Sequence, residues 1–303
     1  MRRDFDMLLR NTFFLPWGKL GDHATLIQFC VDNGFGHLML GELVWCKSAG
    51  YYESNLPGGH SELKTLVKEA HDAGLIFTLH GRVTRVDADD PLAVEPRPAA
   101  LVKNVGTANY YVNPYVGNTQ KEISARFIDL ADMVGADGLY FDGADEYSCY
   151  AKLLDTTELK HKACVDILQT ALDYLTRPML LSASITTNEQ REYWCFSGQR
   201  DHYINIKRMW PQFTRDSWTE EQFKTTIKAL SDGYPGVVGW IDFCHGEKMP
   251  DGTPIEDQNA ESLASIRNFA REHNCPIVLE TTLNEINTHP QRDTLLAVLR
   301  GKA

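Results

Sequence analysis

Five polar residues stand at the ends of short apolar runs: Glu42 after His37-Leu38-Met39-Leu40, His80 after Leu75-Ile76-Phe77-Thr78-Leu79, Asp142 after Gly138-Leu139-Tyr140-Phe141, Asp242 after Trp240-Ile241, and Glu280 after Ile277-Val278-Leu279. Four of the five are carboxylic acids. Two carboxyl groups facing one pocket can split acid and nucleophile duties: one protonates a leaving oxygen while the other attacks carbon or activates water. In glycoside hydrolysis the pair stands about 5 Å apart when configuration is retained and about 6.5–9.5 Å apart when it is inverted.

Asp142 is the sharpest of these signals, because a buried-strand pattern runs straight into the acid and Gly143 lets the backbone turn after it. The competing roles for Asp142 are an N-cap or a salt bridge to an arginine. Nearby Asp145 and Glu146 add negative charge that would favour a protonated carboxyl. Asp201, flanked by Arg200 and His202, is the expected acid/base partner of Asp142, unless it begins a strand and so lies at the wrong face. Glu42, His80, Glu146, Arg200, Asp242 and Glu280 are candidates for holding a substrate, and Trp45 and Trp240 are candidate flat surfaces for the C–H faces of a sugar ring.

Other chemistries lack their signatures. Ser182 and Ser184 do not stand in G-x-S-x-G, no H-E-x-x-H occurs among ten histidines, and no C-x-x-C occurs among seven cysteines. No cofactor is expected, since no G-x-G-x-x-G or P-loop follows a strand. A barrel can assemble scattered ligands, so a metal-assisted hydrolase or lyase using His80, Asp142, Asp242 or Glu280 is the alternative enzyme class. A sugar-binding barrel without catalysis is a third reading.

The net charge of -11 is spread along the chain, and no basic stripe suits a nucleic acid partner. The first residues, Met-Arg-Arg-Asp-Phe-Asp, lack the continuous apolar run of a signal peptide, and nowhere do 18 apolar residues follow one another. The expectation is a soluble protein with no membrane partner, cytoplasmic location being slightly favoured.

The elements that must position these residues alternate in type. Strands are expected at 13–15, 37–40, 75–79, 138–142, 178–183, 236–241 and 277–280, with helices at 22–32, from Ser61 to Gly74, 119–134, 158–176, 220–230, 260–273 and 283–299. Residues 81–118 read as a long functional loop, and 188–210 as a short helix and strand or an elaborated loop. About eight strands, each followed by a helix or loop, in 303 residues predict an α/β fold, a single-domain (β/α)8 TIM barrel over 1–303, whose strand C-terminal ends carry the site.

Tyr111-Val112-Asn113-Pro114, a helix, and then Gly135-Ala136-Asp137-Gly138-Leu139-Tyr140-Phe141-Asp142 resemble the approach to strand four in α-galactosidase-like glycoside hydrolases. The resemblance implies a glycosidase that binds carbohydrate, acts on an α-linked sugar with retention, and uses Asp142 as nucleophile. Where that family has Lys-Trp-Asp, this chain has Tyr140-Phe141-Asp142, and no β-sandwich domain is read.

Overall fold

The computed structural model describes residues 10–47, 50–88, 90–94, 101–103, 109–112, 119–142, 173–175, 177, 179–184, 203–208, 221, 224–225, 228, 238–242 and 260–301. In chain order the elements are β1 (Thr12–Leu15), α1 (His23–Asp32), β2 (His37–Leu40), α2 (Glu42–Trp45), α3 (Gly59–Asp72), β3 (Ile76–Arg82), β4 (Arg85–Asp87) and α4 (Pro91–Val94). They continue with β5 (Leu101–Lys103), β6 (Asn109–Val112), α5 (Thr119–Val134), β7 (Gly138–Asp142), β8 (Leu180–Ser184), β9 (Tyr203–Arg208) and β10 (Val238–Asp242). The last are α6 (Ala260–Glu272), β11 (Ile277–Glu280), α7 (Leu283–Thr288) and α8 (Arg292–Leu299). Among the described residues, no helix is long and apolar enough to cross a membrane.

Two compact units divide the chain. The first comprises Met1–Leu40, Glu69–Phe77 and Ile206–Ala303. In it β2, β1, β11 and β10 pair in that order, all parallel, and β10 also pairs with Ile206–Arg208 of β9. Phe13 of β1 packs edge-on against Phe29 of α1 at 5.1 Å between centroids, with Phe35 at 5.5 Å. Asp22 starts α1 by accepting a 2.9 Å hydrogen bond from the Thr25 amide, which satisfies one of the helix's orphan donors.

The second unit comprises Gly41–Lys68 and Thr78–Asn205. Here β3, β7 and β8 pair in parallel, and β4, β6 and β5 form an antiparallel sheet of their own. Residues 81–118 were expected to be loop. Instead they finish β3 and supply this second sheet, because Arg85-Val86-Asp87 and Asn109-Tyr110-Tyr111-Val112 pair with each other rather than with the parallel strands.

The two faces of β3 and β7 do different work. Helix α5 buries Ile123, Phe127, Leu130, Ala131 and Val134, one apolar stripe at helical spacing. Phe127 lies so close to Gly81 that a Cβ there would meet its Cζ at 2.7 Å. The ring also stacks on Trp45 at 6.1 Å and on Tyr52 at 4.8 Å, and meets Phe141 edge-on at 5.8 Å. Because strand side chains alternate, Gly81 and Phe141 on the helix face leave His80, Arg82, Tyr140 and Asp142 on the other.

One further boundary differs from expectation. The 283–299 helix is two helices, broken where His289 takes an extended ψ of 133° ahead of Pro290, since proline disfavours helical geometry in the residue before it. Within 188–210 the described part, Tyr203–Arg208, is strand.

Replacing Phe127 by Ala should lower stability by about 3–5 kcal/mol, the usual cost of an aromatic cavity. The measurement is the urea midpoint at unchanged slope. A loss below about 1 kcal/mol would contradict the anchoring role given to this ring.

Candidate functional site

The parallel register sets His80 beside Tyr140 and Arg82 beside Asp142. In a parallel pair, register partners share a face, so four polar or amphipathic side chains are brought together at the C-terminal ends of two strands. The rings of His80 and Tyr140 stack at 5.1 Å with 15° between planes. Arg82 Nε donates to Asp142 Oδ2 at 3.1 Å, and Arg82 Nη1 reaches Glu42 Oε2 at 3.4 Å. A single guanidinium thus bridges two carboxyl groups.

His80 completes the arrangement. Its Nδ1 accepts from the Glu42 backbone amide at 3.4 Å, which assigns the proton of the neutral ring to Nε2. Nε2 lies 3.6 Å from Asp142 Oδ2, so the histidine and the arginine converge on the same carboxylate oxygen. The Asp142 side chain is 13% exposed and Arg82 25%, against 5% for Glu42. Asp142 and Arg82 can be reached from solvent, while Glu42 stands behind them.

The strand end is fixed from the Gly41–Lys68 side. Trp45 Nε1 donates to the His80 carbonyl at 3.1 Å, and the Tyr52 hydroxyl donates to the Arg82 carbonyl at 2.5 Å. Tyr52 takes a left-handed φ of 56°, an uncommon conformation for a residue with a side chain. Burial, with the Glu42 charge second, pushes its hydroxyl well above its ordinary range, which keeps it a donor.

Electrostatics separates the two carboxyls. Burial raises Glu42 from 4.5 to about 7, opposed by Arg82 and reinforced by the Asp142 charge. Below that value Glu42 is protonated and neutral, so the charge of Arg82 is directed mainly at Asp142. Among the described residues, no three His, Cys, Asp or Glu side chains form a group suited to a metal ion.

Several expected site residues find different places. Trp45 is not an open sugar platform: it is wholly buried, and its ring packs in one cluster with Tyr52 and Phe127. Glu42 is buried at 4% exposure, and its carboxyl accepts from the same Arg82 guanidinium that donates to Asp142. His80 lies inside β3 rather than after it. Asp242 and Glu280 end β10 and β11 and are register partners in the first unit, with Trp240 opposite Val278. Glu280 is buried at 3% exposure. Glu146, Arg200 and Asp201 lie outside the described residues.

Arg82 was missed. Its signal was the alternation Thr78-x-His80-x-Arg82, which carries the strand past the last apolar residue.

No family model and no curated protein matches the chain. Solved structures do. An α-galactosidase from Thermus thermophilus in complex with stachyose matches with TM-score 0.60 and 14% identity, over 96% of this chain and 65% of that one. The chain thus spans about two thirds of that enzyme's length. The glycoside hydrolase domain of PgaB (BpsB) from Bordetella bronchiseptica matches with TM-score 0.61 and 13% identity, over 97% and 99% of the two chains. Aspergillus fumigatus Ega3, in complex with galactosamine, matches with TM-score 0.58 and 12% identity, over 90% and 92%.

The raised Glu42 value fixes the sign of a pH effect. A group whose folded value lies above its unfolded one stabilises fully below the unfolded value and loses that contribution as pH rises through the folded value. Relative to Glu42→Gln, the wild type should lose about 1–3 kcal/mol of stability between pH 4.5 and about 7. Urea titrations of both proteins across that window measure the difference. A pH-independent gap would contradict the buried, protonated Glu42.

At these identities the likeness is one of fold: the chain shares the architecture of TIM-barrel-like glycoside hydrolases, α-galactosidases among them.

Proposed function

We propose that this chain is a glycoside hydrolase that binds carbohydrate and cleaves an α-linked O-glycosidic bond with retention, using Asp142 as nucleophile. The observation that carries the reading is the placement of Asp142: the last residue of β7, reachable from solvent, and held by Arg82 and His80 on one oxygen. The likeness of fold to glycoside hydrolases over 90–97% of the chain supports the reaction class. The eight parallel strands β1, β2, β3, β7, β8, β9, β10 and β11 would then form one closed ring in a single domain, with the pocket at their C-terminal ends.

In the first step an Asp142 carboxylate oxygen bonds to the anomeric carbon as the bond to the glycosidic oxygen breaks, and that oxygen takes a proton from the acid/base carboxyl. In the second, water attacks the anomeric carbon, gives its proton to the acid/base carboxylate, and Asp142 departs with the bonding electrons. Arg82 and the Nε2–H of His80 orient the nucleophile. Glu146, Arg200, Trp240, Asp242 and Glu280 are the proposed sugar-holding residues.

Asp201 is the first candidate for the acid/base. A second reading rests on β9, which runs from Tyr203 to Arg208. In such barrels the residues after a strand build the pocket. Asp201 precedes this strand in sequence, and the first acid after it is Asp216.

Chromogenic α- and β-glycosides with good and poor leaving groups test all three acids. Asp142→Asn should lose turnover by about 10³-fold or more at unchanged folding. The acid/base variant, whether Asp201→Asn or Asp216→Asn, should lose about 10²–10⁴-fold on poor leaving groups and little on those that depart unprotonated. Near-normal turnover by Asp142→Asn would refute the assignment, as would a stoichiometric divalent ion on which activity depends. Saturable glycan binding with no cleavage across the panel would favour a sugar-binding barrel.

A further inference from the structure

At the N-terminal ends of β1 and β11, opposite in that unit to the ends carrying Asp242 and Glu280, lies a cleft of about 320 Å³. It is lined by Asn11, Arg267, Arg271, Asn274 and the apolar-contact residues Cys275, Pro276 and Ile277. Among the described residues, two cations and two amides line it, and none of its lining residues is acidic.

Arg267 and Arg271 are one helical turn apart on α6, so both guanidinium groups reach the same side. Like charges at this spacing destabilise a helix by a few tenths of a kcal/mol. Neither forms an ion pair among the described residues. The helix C-terminus accounts for a cation at Arg271, in the last turn, but not for Arg267 one turn earlier.

Arg267 is also placed with little clearance. A Cβ on Gly301 would come within 3.3 Å of its Nη2, so the glycine makes room for the guanidinium. Burial, with Arg271 second, disfavours its charged form. Asn11 uses its Oδ1 to accept from the Ile277 amide at 3.2 Å, which fixes the side chain by its oxygen and leaves its NH₂ as the ligand-facing chemistry. A donor-rich cleft with two like charges that form no ion pair among the described residues is complementary to an oxyanion.

We propose that this cleft binds a phosphoryl group, either as inorganic phosphate or as part of a small phosphorylated molecule. Two guanidinium forks and an amide supply the donors such a group accepts, and the cleft is large enough to admit more than the phosphate itself. None of its residues belongs to the proposed sugar site, so either reading can fail without the other.

Isothermal titration of the whole protein with inorganic phosphate, and separately with a hexose 6-phosphate, tests this at ionic strength held constant with chloride. Saturable 1:1 binding is expected, weakened about tenfold or more in Arg267→Gln and in Arg271→Gln. Arg271 is exposed, so its variant should fold even if the Arg267 variant does not. Tighter binding of the hexose phosphate identifies a phosphorylated small molecule, and equal affinity identifies free phosphate. Absence of saturable binding, or affinity unchanged by Arg271→Gln, overturns the proposal.

Discussion

The arrangement of the second unit depends on one guanidinium held between two carboxyls of unequal character. Arg82 donates from Nε to Asp142 and from Nη1 to Glu42. Taken alone, three ionised groups at low exposure would carry a large desolvation cost. The cost is reduced because Glu42, the most buried of them, keeps its proton up to about pH 7. What remains is one cation facing one anion, with a neutral carboxyl behind. Such a pair holds direction better than a lone carboxylate in water, and direction is what a nucleophile requires.

That geometry rests on packing at the opposite face of the same strands. Gly81 admits the Phe127 ring, which stacks on Trp45 and Tyr52; those two residues in turn bond the carbonyls of His80 and Arg82. The apolar face therefore locates the backbone from which the polar face projects. A shift of the helix α5 ring would move the strand end, and with it the Arg82 fork. In the first unit the same alternation leaves Glu280 and Asp242 adjacent in register at the ends of their strands.

Much of the scaffold was legible in the sequence because buried parallel strands are short unbroken apolar runs. The strand Gly138–Asp142 was read residue for residue, and α5 at 119–134 likewise. Legibility failed where polarity and burial part company. Strand β3 was ended at Leu79 because His80 broke the apolar run, and Arg82 was lost with it, although alternation continues through both. Trp45 was read as exposed because its place after a strand does not reveal Phe127, 82 positions further along the chain, packing against it beside Tyr52. The antiparallel sheet was unreadable for a related reason: β4 and β5 are three residues each, too short to show a period.

The central claim is that the carboxylate held by Arg82 and His80 forms the bond to sugar. Mass spectrometry of peptides from enzyme inactivated with an activated fluorosugar of the glycoside it cleaves tests this directly, because the slowed second step leaves the glycosyl group in place. The account predicts a single sugar adduct on the peptide and side chain of Asp142. An adduct on a different carboxyl group, with Asp142 unmodified, would contradict it.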